Sequence, residues 1–412
     1  MKKRKISIFL SATFLTLCFN GITAKAFQPV SHCMLIQSVA NSLPENSLIA
    51  KSIKKYPKIA NWGANAPDLG YLQPGQALER APWADRYHYY KVGSFAKEQL
   101  KEALNSKDMK KISFAAGWVS HITGDLNCHG KFVNPECGVY MANESSRPLH
   151  KKLEHSAESF VFSNIIGNDS NSFNSTNISS KFDNYDEIPF DMINKISQKV
   201  YGQNPSETEE KLWCKALLVG LKTGVGYTYE NLDASENTLS QNNRKERLEE
   251  AFKSAKEDCI KLLSEAENDN YSSFTDRWNL DVGGSDSPIS SLTITVETGK
   301  NIGAGTDDNV YLCFKLKNGS IKEWELDKKN YNDFERGDSD EYYLYINDIN
   351  IHPEDIVKTY IDKRGSNSIA SDWYLKEVKL DVNGIDVINK TINKWINTKN
   401  NSEELKVNWN NV

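Results

Sequence analysis

From residue 29 to about residue 281, apolar side chains recur every three or four positions, the period of a helix that buries one face. The pattern predicts helices over residues 93–104, 111–125, 189–201, 206–221 and 244–267. Between residues 164 and 185 Asn and Ser dominate with little periodicity, which predicts a surface loop or flap. The run Gly283-Gly284-Ser285-Asp286-Ser287-Pro288 reads as a linker. Beyond it the period falls to two: Leu292, Ile294 and Val296 share one face, Thr293 and Thr295 the other. Further strand-like runs cover residues 309–317, 323–326, 341–346, 357–362 and 373–382. Short strands separated by turn signals predict a β-sandwich. The expected architecture is an all-α domain followed by an all-β module.

The first residues fit neither half. Met1-Lys2-Lys3-Arg4-Lys5, an apolar run over residues 6–19 and Ala24-Lys25-Ala26 have the layout of a secretory signal with a small-x-small cleavage site. The run is too short for a permanent membrane anchor. The expected division is a signal over 1–26, a helical domain over 27–282, a linker over 283–289 and a sandwich over 290–400, in a secreted monomer. Cleavage after Ala26 removes five of the 50 Lys and Arg and none of the 55 Asp and Glu, doubling the net charge of −5. An acidic mature chain argues against nucleic acid as a partner. Six of the seven cysteines remain. Export permits disulfides, and Cys128 and Cys137 lie near enough in sequence for a local pair, with connectivity open.

Six of the seven histidines fall between His32 and His155, in step with acidic residues: His32, Asp68, His88, His121, Asp125, His129, His150, Glu154. Residues four apart share a helix face. His121/Asp125/His129 and His150/Glu154 therefore each present imidazoles and carboxylates together, the donors that divalent zinc takes. Taken singly, the i,i+4 pairs also fit ordinary helix-surface hydrogen bonding. His155 has no place in the series and is expected to be a solvated helix residue. Cleavage at Ala26 would free the amine of Phe27, five residues before His32, and an α-amine with its own carbonyl can chelate a metal.

This series, with its amino-terminal start, resembles the zinc-dependent phospholipase C family. The resemblance implies three metal positions: Asp68, His88, His121 and Asp125; Phe27 and His32 with Asp125 bridging; and His129, His150 and Glu154. It implies three zinc ions that polarise phosphoryl oxygens and lower the pKa of a water. Asp68 is the candidate catalytic group to orient or deprotonate that water, beside a role as ligand. Clostridial α-toxin-like members have two more residues between the equivalents of Asp125 and His129 and fewer between those of Asp68 and His88. The spacing here is similar to the animal glycosylphosphatidylinositol-specific phospholipase D branch. A helix continuing through His129 would keep it on the ligand face.

Ala304-Gly305-Thr306-Asp307-Asp308-Asn309-Val310-Tyr311, Phe334-Glu335-Arg336-Gly337 and Asp372-Trp373-Tyr374-Leu375 resemble a PLAT domain, a lipid-binding β-sandwich. That resemblance implies calcium on Gly305, Thr306, Asp372 and the carbonyl of Trp373, with Asp307 and Asp308 as compensating carboxylates where Gly303 replaces an acidic residue. It also offers Trp373 as an indole inserted among phospholipid headgroups, against the alternative of a core tryptophan. Together these readings imply a secreted zinc phospholipase C docked on membranes by a calcium-assisted module. The alternatives are phospholipase D-type or glycosylphosphatidylinositol cleavage, a nuclease of the P1 type, and a non-catalytic membrane-binding protein with structural metal.

Overall fold

A computed structural model describes residues 28–72, 82–89, 91–137, 147–182, 184–224, 227–276, 278, 280, 289, 292–328, 331–344, 351–365, 372–382, 385–407 and 409. The expected signal, Phe27 and most of the linker lie outside these residues. The chain divides into two compact units, residues 1–285 and 286–412.

The first unit is helical. Its described α-helices are α1 (Pro29–Ser42), α2 (Leu48–Lys55), α3 (Pro57–Asn65), α4 (Pro82–Tyr89), α5 (Val92–Ser106), α6 (Met109–Asn127), α7 (Asn134–Cys137), α8 (Arg147–Phe160), α9 (Ser175–Ser179), α10 (Phe190–Tyr201), α11 (Glu207–Thr223), α12 (Leu232–Leu239) and α13 (Arg244–Glu267). At the centre is α6, buried on nearly every side from Ile112 to Asp125. A helix buried all round must offer small residues where a neighbour crosses. Gly117 and Gly63 do this: a Cβ on Gly117 would lie 2.2 Å from the Ala60 carbonyl oxygen, and one on Gly63 2.0 Å from that of Phe114. The close crossing of α3 and α6 sets the carbonyl of Ala64, and the 3-10 turn Ala66–Leu72 that follows, beside His121.

Two expectations give way in this unit. Residues 164–185 are not an unstructured flap: they form short helical turns with Ile178 and Phe182 buried, and Phe182 packs edge-on against Trp62 at 5.1 Å. Their Asn and Asp serve as caps, Asp169 accepting from Asn171 N and Asn174 from Asn177 N, so polarity here marks capping. Cys128 and Cys137 form no disulfide, nor do the other described cysteines, all of them buried. The Cys137 sulfur faces the Val133 carbonyl and His150 Nδ1 instead.

The second unit is a sandwich of two antiparallel four-stranded sheets. Its strands are β1 (Leu292–Thr298), β2 (Asn309–Leu316), β3 (Ile321–Glu325), β4 (Ser339–Leu344), β5 (Ile356–Arg364), β6 (Trp373–Val382), β7 (Ile385–Ile396) and β8 (Ser402–Leu405). One sheet has the order β4-β1-β6-β7, the other β3-β2-β5-β8. Leu292, Ile294 and Val296 are buried, as their alternation requires, and pack with Phe314, Phe334, Tyr342 and Trp373. Among the described residues no helix is long and apolar enough to cross a membrane.

Candidate metal centre

Three groups of donors gather in the helical unit: His32, His121 and Asp125; Asp68, His88 and His121; and His129, His150 and Glu154. Each comes from a different part of the fold. His32 is on α1, Asp68 on the 3-10 turn after α3, His88 on α4, His121 and Asp125 on α6, and His150 and Glu154 on α8.

Asp125 joins the first two groups. Its side chain is fully buried, with Oδ1 3.4 Å from His32 Nε2 and Oδ2 3.3 Å from His121 Nε2 and 3.6 Å from His88 Nε2. Its two oxygens thus face different histidines. Asp68 Oδ1 closes the second group at 3.1 Å from His88 Nε2 and 4.0 Å from His121 Nε2, and at 24 % exposure Asp68 is the member that opens to solvent.

The tautomers follow from the second ring nitrogens. His121 Nδ1 lies 2.9 Å from the Ala64 carbonyl and His88 Nδ1 2.8 Å from that of Ala84. A carbonyl only accepts, so both Nδ1 atoms donate, and in the neutral rings Nε2 carries the lone pair. Those two Nε2 atoms face each other at 3.3 Å, a spacing that calls for a proton or a cation between them. Burial disfavours charge on His88, but the hydrogen bonds its ring donates to Asp125 and Asp68 outweigh it and raise the group to about 10. Metal and proton compete for this position. His32 is held neutral, well below its ordinary value, by burial and by His121. Burial also opposes ionisation of Asp125, yet the imidazoles of His121 and His88 keep it well below its usual range.

In the third group Glu154 Oε1 lies 3.1 Å from His150 Nε2 and 3.4 Å from His129 Nε2. Burial raises the Glu154 carboxyl less than His150 and His129 lower it. Its Oε2 is buried with no hydrogen-bond partner among the described residues, a position that a cation would relieve. The α-helix expected to run through His129 ends at Asn127, and a π-helical turn, Cys128–Val133, carries His129 instead. Its wider turn shifts the phase of the face, and His129 meets Glu154. The donor set therefore fits zinc: imidazoles whose Nε2 atoms converge, with Nδ1 of His88, His121 and His150 engaged elsewhere, and carboxylates whose oxygens meet them.

Phe27 lies outside the described residues. Every other residue of the histidine–carboxylate series reaches the centre. His155 is half-buried, not solvated, and burial lowers its pKa. Sequence reasoning missed Cys137, 3.5 Å from His150 Nδ1, and Glu158, four residues beyond Glu154 on the same face of α8. The continuing four-residue step was the available signal for Glu158.

In the sandwich, residues 299–306, 334–337 and 372–374 meet at one rim. Tyr374 N donates to the Ala304 carbonyl at 2.9 Å, Gly299 N to that of Tyr374 at 2.9 Å and Gly337 N to that of Gly299 at 3.1 Å. Gly305 packs on the Phe334 carbonyl, Thr306 is buried and Asp372 is exposed, so Gly305, Thr306, Asp372 and Trp373 share this rim. Trp373 is not available to a membrane: it is fully buried, its Nε1 donates to Thr298 Oγ1 at 2.9 Å, and Phe334 packs against it. Asp308 cannot compensate for Gly303, because its Oδ2 forms a buried ion pair with Lys363 Nζ at 2.6 Å. What the rim exposes is Ile302, at 92 %, and Trp395, edge-on to Tyr374.

Residues 31–223 match the zinc dependent phospholipase C family and residues 292–408 the PLAT/LH2 domain. A phospholipase C of Clostridium novyi is 38 % identical over 108 residues, and one of Paraclostridium bifermentans 38 % identical over 117 residues. These matches span 26 % and 28 % of the chain, and only 27 % and 29 % of the relatives' lengths. The solved alpha toxin from Clostridium absonum aligns over 91 % of this chain and 98 % of its own at 18 % identity, with a TM-score of 0.30.

Proposed function

We propose, from a helical unit that belongs to the zinc-dependent phospholipase C family and a sandwich that is a PLAT domain, that this chain is a secreted phospholipase C. It hydrolyses the phosphodiester of membrane phospholipids to diacylglycerol and a phosphorylated headgroup. The observation that carries the reading is the division of Asp125: one buried carboxylate turns its two oxygens to two histidine groups, beside a carboxylate that opens to solvent. His32, His88, His121, Asp68 and Asp125 would hold two zinc ions, with Phe27 as a further ligand to the ion at His32. His129, His150 and Glu154 would hold a third. Zinc there supplies positive charge against the phosphodiester and acidifies water.

The roles of the protein groups follow from burial. Asp68, partly solvated, orients the attacking water and takes its proton as the oxygen bonds to phosphorus. The phosphorus–oxygen bond on the glycerol side breaks, and the departing alkoxide is protonated from solvent. Asp125, shut away from solvent, holds the histidines and the metal charge and moves no proton.

The PLAT domain docks the enzyme on phospholipid bilayers. Ile302 and Trp395 provide the apolar contact, and Gly305, Thr306, Asp372 and the Trp373 carbonyl bind calcium at the same rim. Its test is liposome hydrolysis with zinc and calcium present, read by mass spectrometry of the lipid product. Diacylglycerol with a phosphorylated headgroup is expected, and its absence would sink the proposal. The four-residue step from Asp125 to His129 favours a second reading, D-type or glycosylphosphatidylinositol cleavage, for which phosphatidic acid would be the product.

A further inference from the structure

Helix α1 starts without a cap of its own. Gln28 makes no side-chain capping bond, Pro29 has no N–H, and the first intrahelical bond, His32 N to the Gln28 carbonyl, is 3.4 Å long. The donors of this first turn that the helix itself leaves unused, Val30 N and Ser31 N, go to a distant residue: they donate to Glu158 Oε1 at 3.0 Å and Oε2 at 3.2 Å. Glu158 is 1 % exposed, so this is a buried tie between two helices that meet nowhere near each other in sequence. His32 follows directly on the tied residues.

Glu158 also stands in register with the third donor group. His150, Glu154 and Glu158 are spaced by four on α8, about 6 Å of rise per step, and lie on one face. Two of them meet His129, and the third grips the backbone below His32. On its other side His32 stacks on His121 at 4.2 Å and passes Gly124, where a Cβ would lie 3.2 Å from His32 Nδ1. The ring is thus fixed by α6, while the height of its backbone is fixed by α8.

We propose that Glu158 is a positioning residue of the metal centre, holding His32 in register with Asp125 through the first turn of α1. This rests on the proposed zinc-binding function and adds to it a residue that touches no donor atom of the three groups. Losing both acceptors frees α1 to slide or fray by part of a turn, and His32 loses its line to Asp125.

The experiment is a zinc titration and metal analysis of the full chain, with no substrate present, on wild type, Glu158→Ala and Glu158→Gln. Glu158→Ala should weaken the zinc ion that depends on His32 by roughly 10- to 100-fold, the usual effect of removing an orienting partner. The ion at His129, His150 and Glu154 should keep its affinity. Glu158→Gln, which retains one acceptor oxygen and the side chain's volume, should fall between the two and decides the matter where the alanine variant does not fold. With phospholipid, kcat should fall and KM stay unchanged. Zinc isotherms that superimpose on wild type, with only the melting temperature lowered, would overturn the proposal and leave Glu158 a helix cap. A wild type that binds zinc yet cleaves no phospholipid would defeat the proposed function while leaving the positioning role intact. A wild type that binds no zinc would overturn both.

Discussion

Asp125 and Glu154 are both buried carboxylates between imidazoles, but they are not equivalent. Asp125 uses both oxygens, towards His32 and towards His121 and His88, whereas Glu154 meets His129 and His150 with Oε1 alone. Asp125→Asn replaces one acceptor by a donor in either amide orientation, so it should cost metal at both groups it faces. Metal analysis should find about two zinc ions lost, with hydrolysis down by roughly 100-fold or more, since each ion supplies several kcal/mol of charge stabilisation. Retention of wild-type activity would refute the bridging role. Asp68→Asn separates chemistry from ligation. Loss of a general base costs on the order of 10²- to 10⁴-fold in rate. If zinc content falls in parallel with rate, Asp68 acts as a ligand only.

Among elements, the crossing of α3 and α6 governs the centre, because it brings the Ala64 carbonyl within 2.9 Å of His121 Nδ1. Gly117→Ala would drive a methyl against the Ala60 carbonyl oxygen at 2.2 Å. Overpacking of this kind costs about 1–3 kcal/mol, and here the helices separate along the line that orients His121. A lowered melting temperature together with weakened zinc binding is expected, and a change in stability alone would uncouple the crossing from the site. Neither glycine is legible as a contact in the sequence, because a helical period does not say which neighbour crosses. The donors were legible because a four-residue step is local. What the sequence could not give was the π-helical turn at Cys128–Val133, or the burial of Trp373, since alternation places a residue on a face without saying which loops cover it. β7 and β8 went unread for a related reason: β7 carries Asp386, Asn389, Lys390, Asn393 and Lys394, and a half-exposed strand of that composition has a weak apolar period.

Helix α11 also carries a pH dependence. Glu210 is buried against Trp213 and Tyr87, and burial outweighs its hydrogen bond from Asn194 Nδ2, raising the carboxyl from 4.5 to about 8. The folded chain then keeps a proton that the unfolded chain releases above about 4.5, so stability is full below that pH and declines as pH rises through about 8. Urea unfolding at pH 5 and pH 8.5 should show wild type losing stability relative to Glu210→Gln, which has no proton to release. Parallel changes in the two proteins would rule this out.

At the scale of the whole molecule, the proposed function divides the work between the two units, one cutting a phosphodiester and the other finding a bilayer. Tethering a weakly membrane-bound module to a catalytic unit raises the local concentration of substrate without changing the chemistry. Substitutions at the rim should then alter hydrolysis of vesicles and spare hydrolysis of a soluble short-chain phospholipid. Ile302 provides the cleanest case, since it is 92 % exposed and has little packing to lose. Burying an isoleucine side chain is worth roughly 1.5–3 kcal/mol, so Ile302→Ser should weaken vesicle binding by about tenfold or more in a sedimentation assay. Trp373→Ala should behave differently. Its indole lies in the sandwich core and bonds Thr298, and emptying such a site costs about 3–5 kcal/mol, so the domain should unfold at lower temperature before any specific loss of docking appears. If instead Ile302→Ser binds vesicles as wild type does and Trp373→Ala stays folded but fails to bind, the apolar contact with lipid lies at Trp373 and the domain must open to expose it.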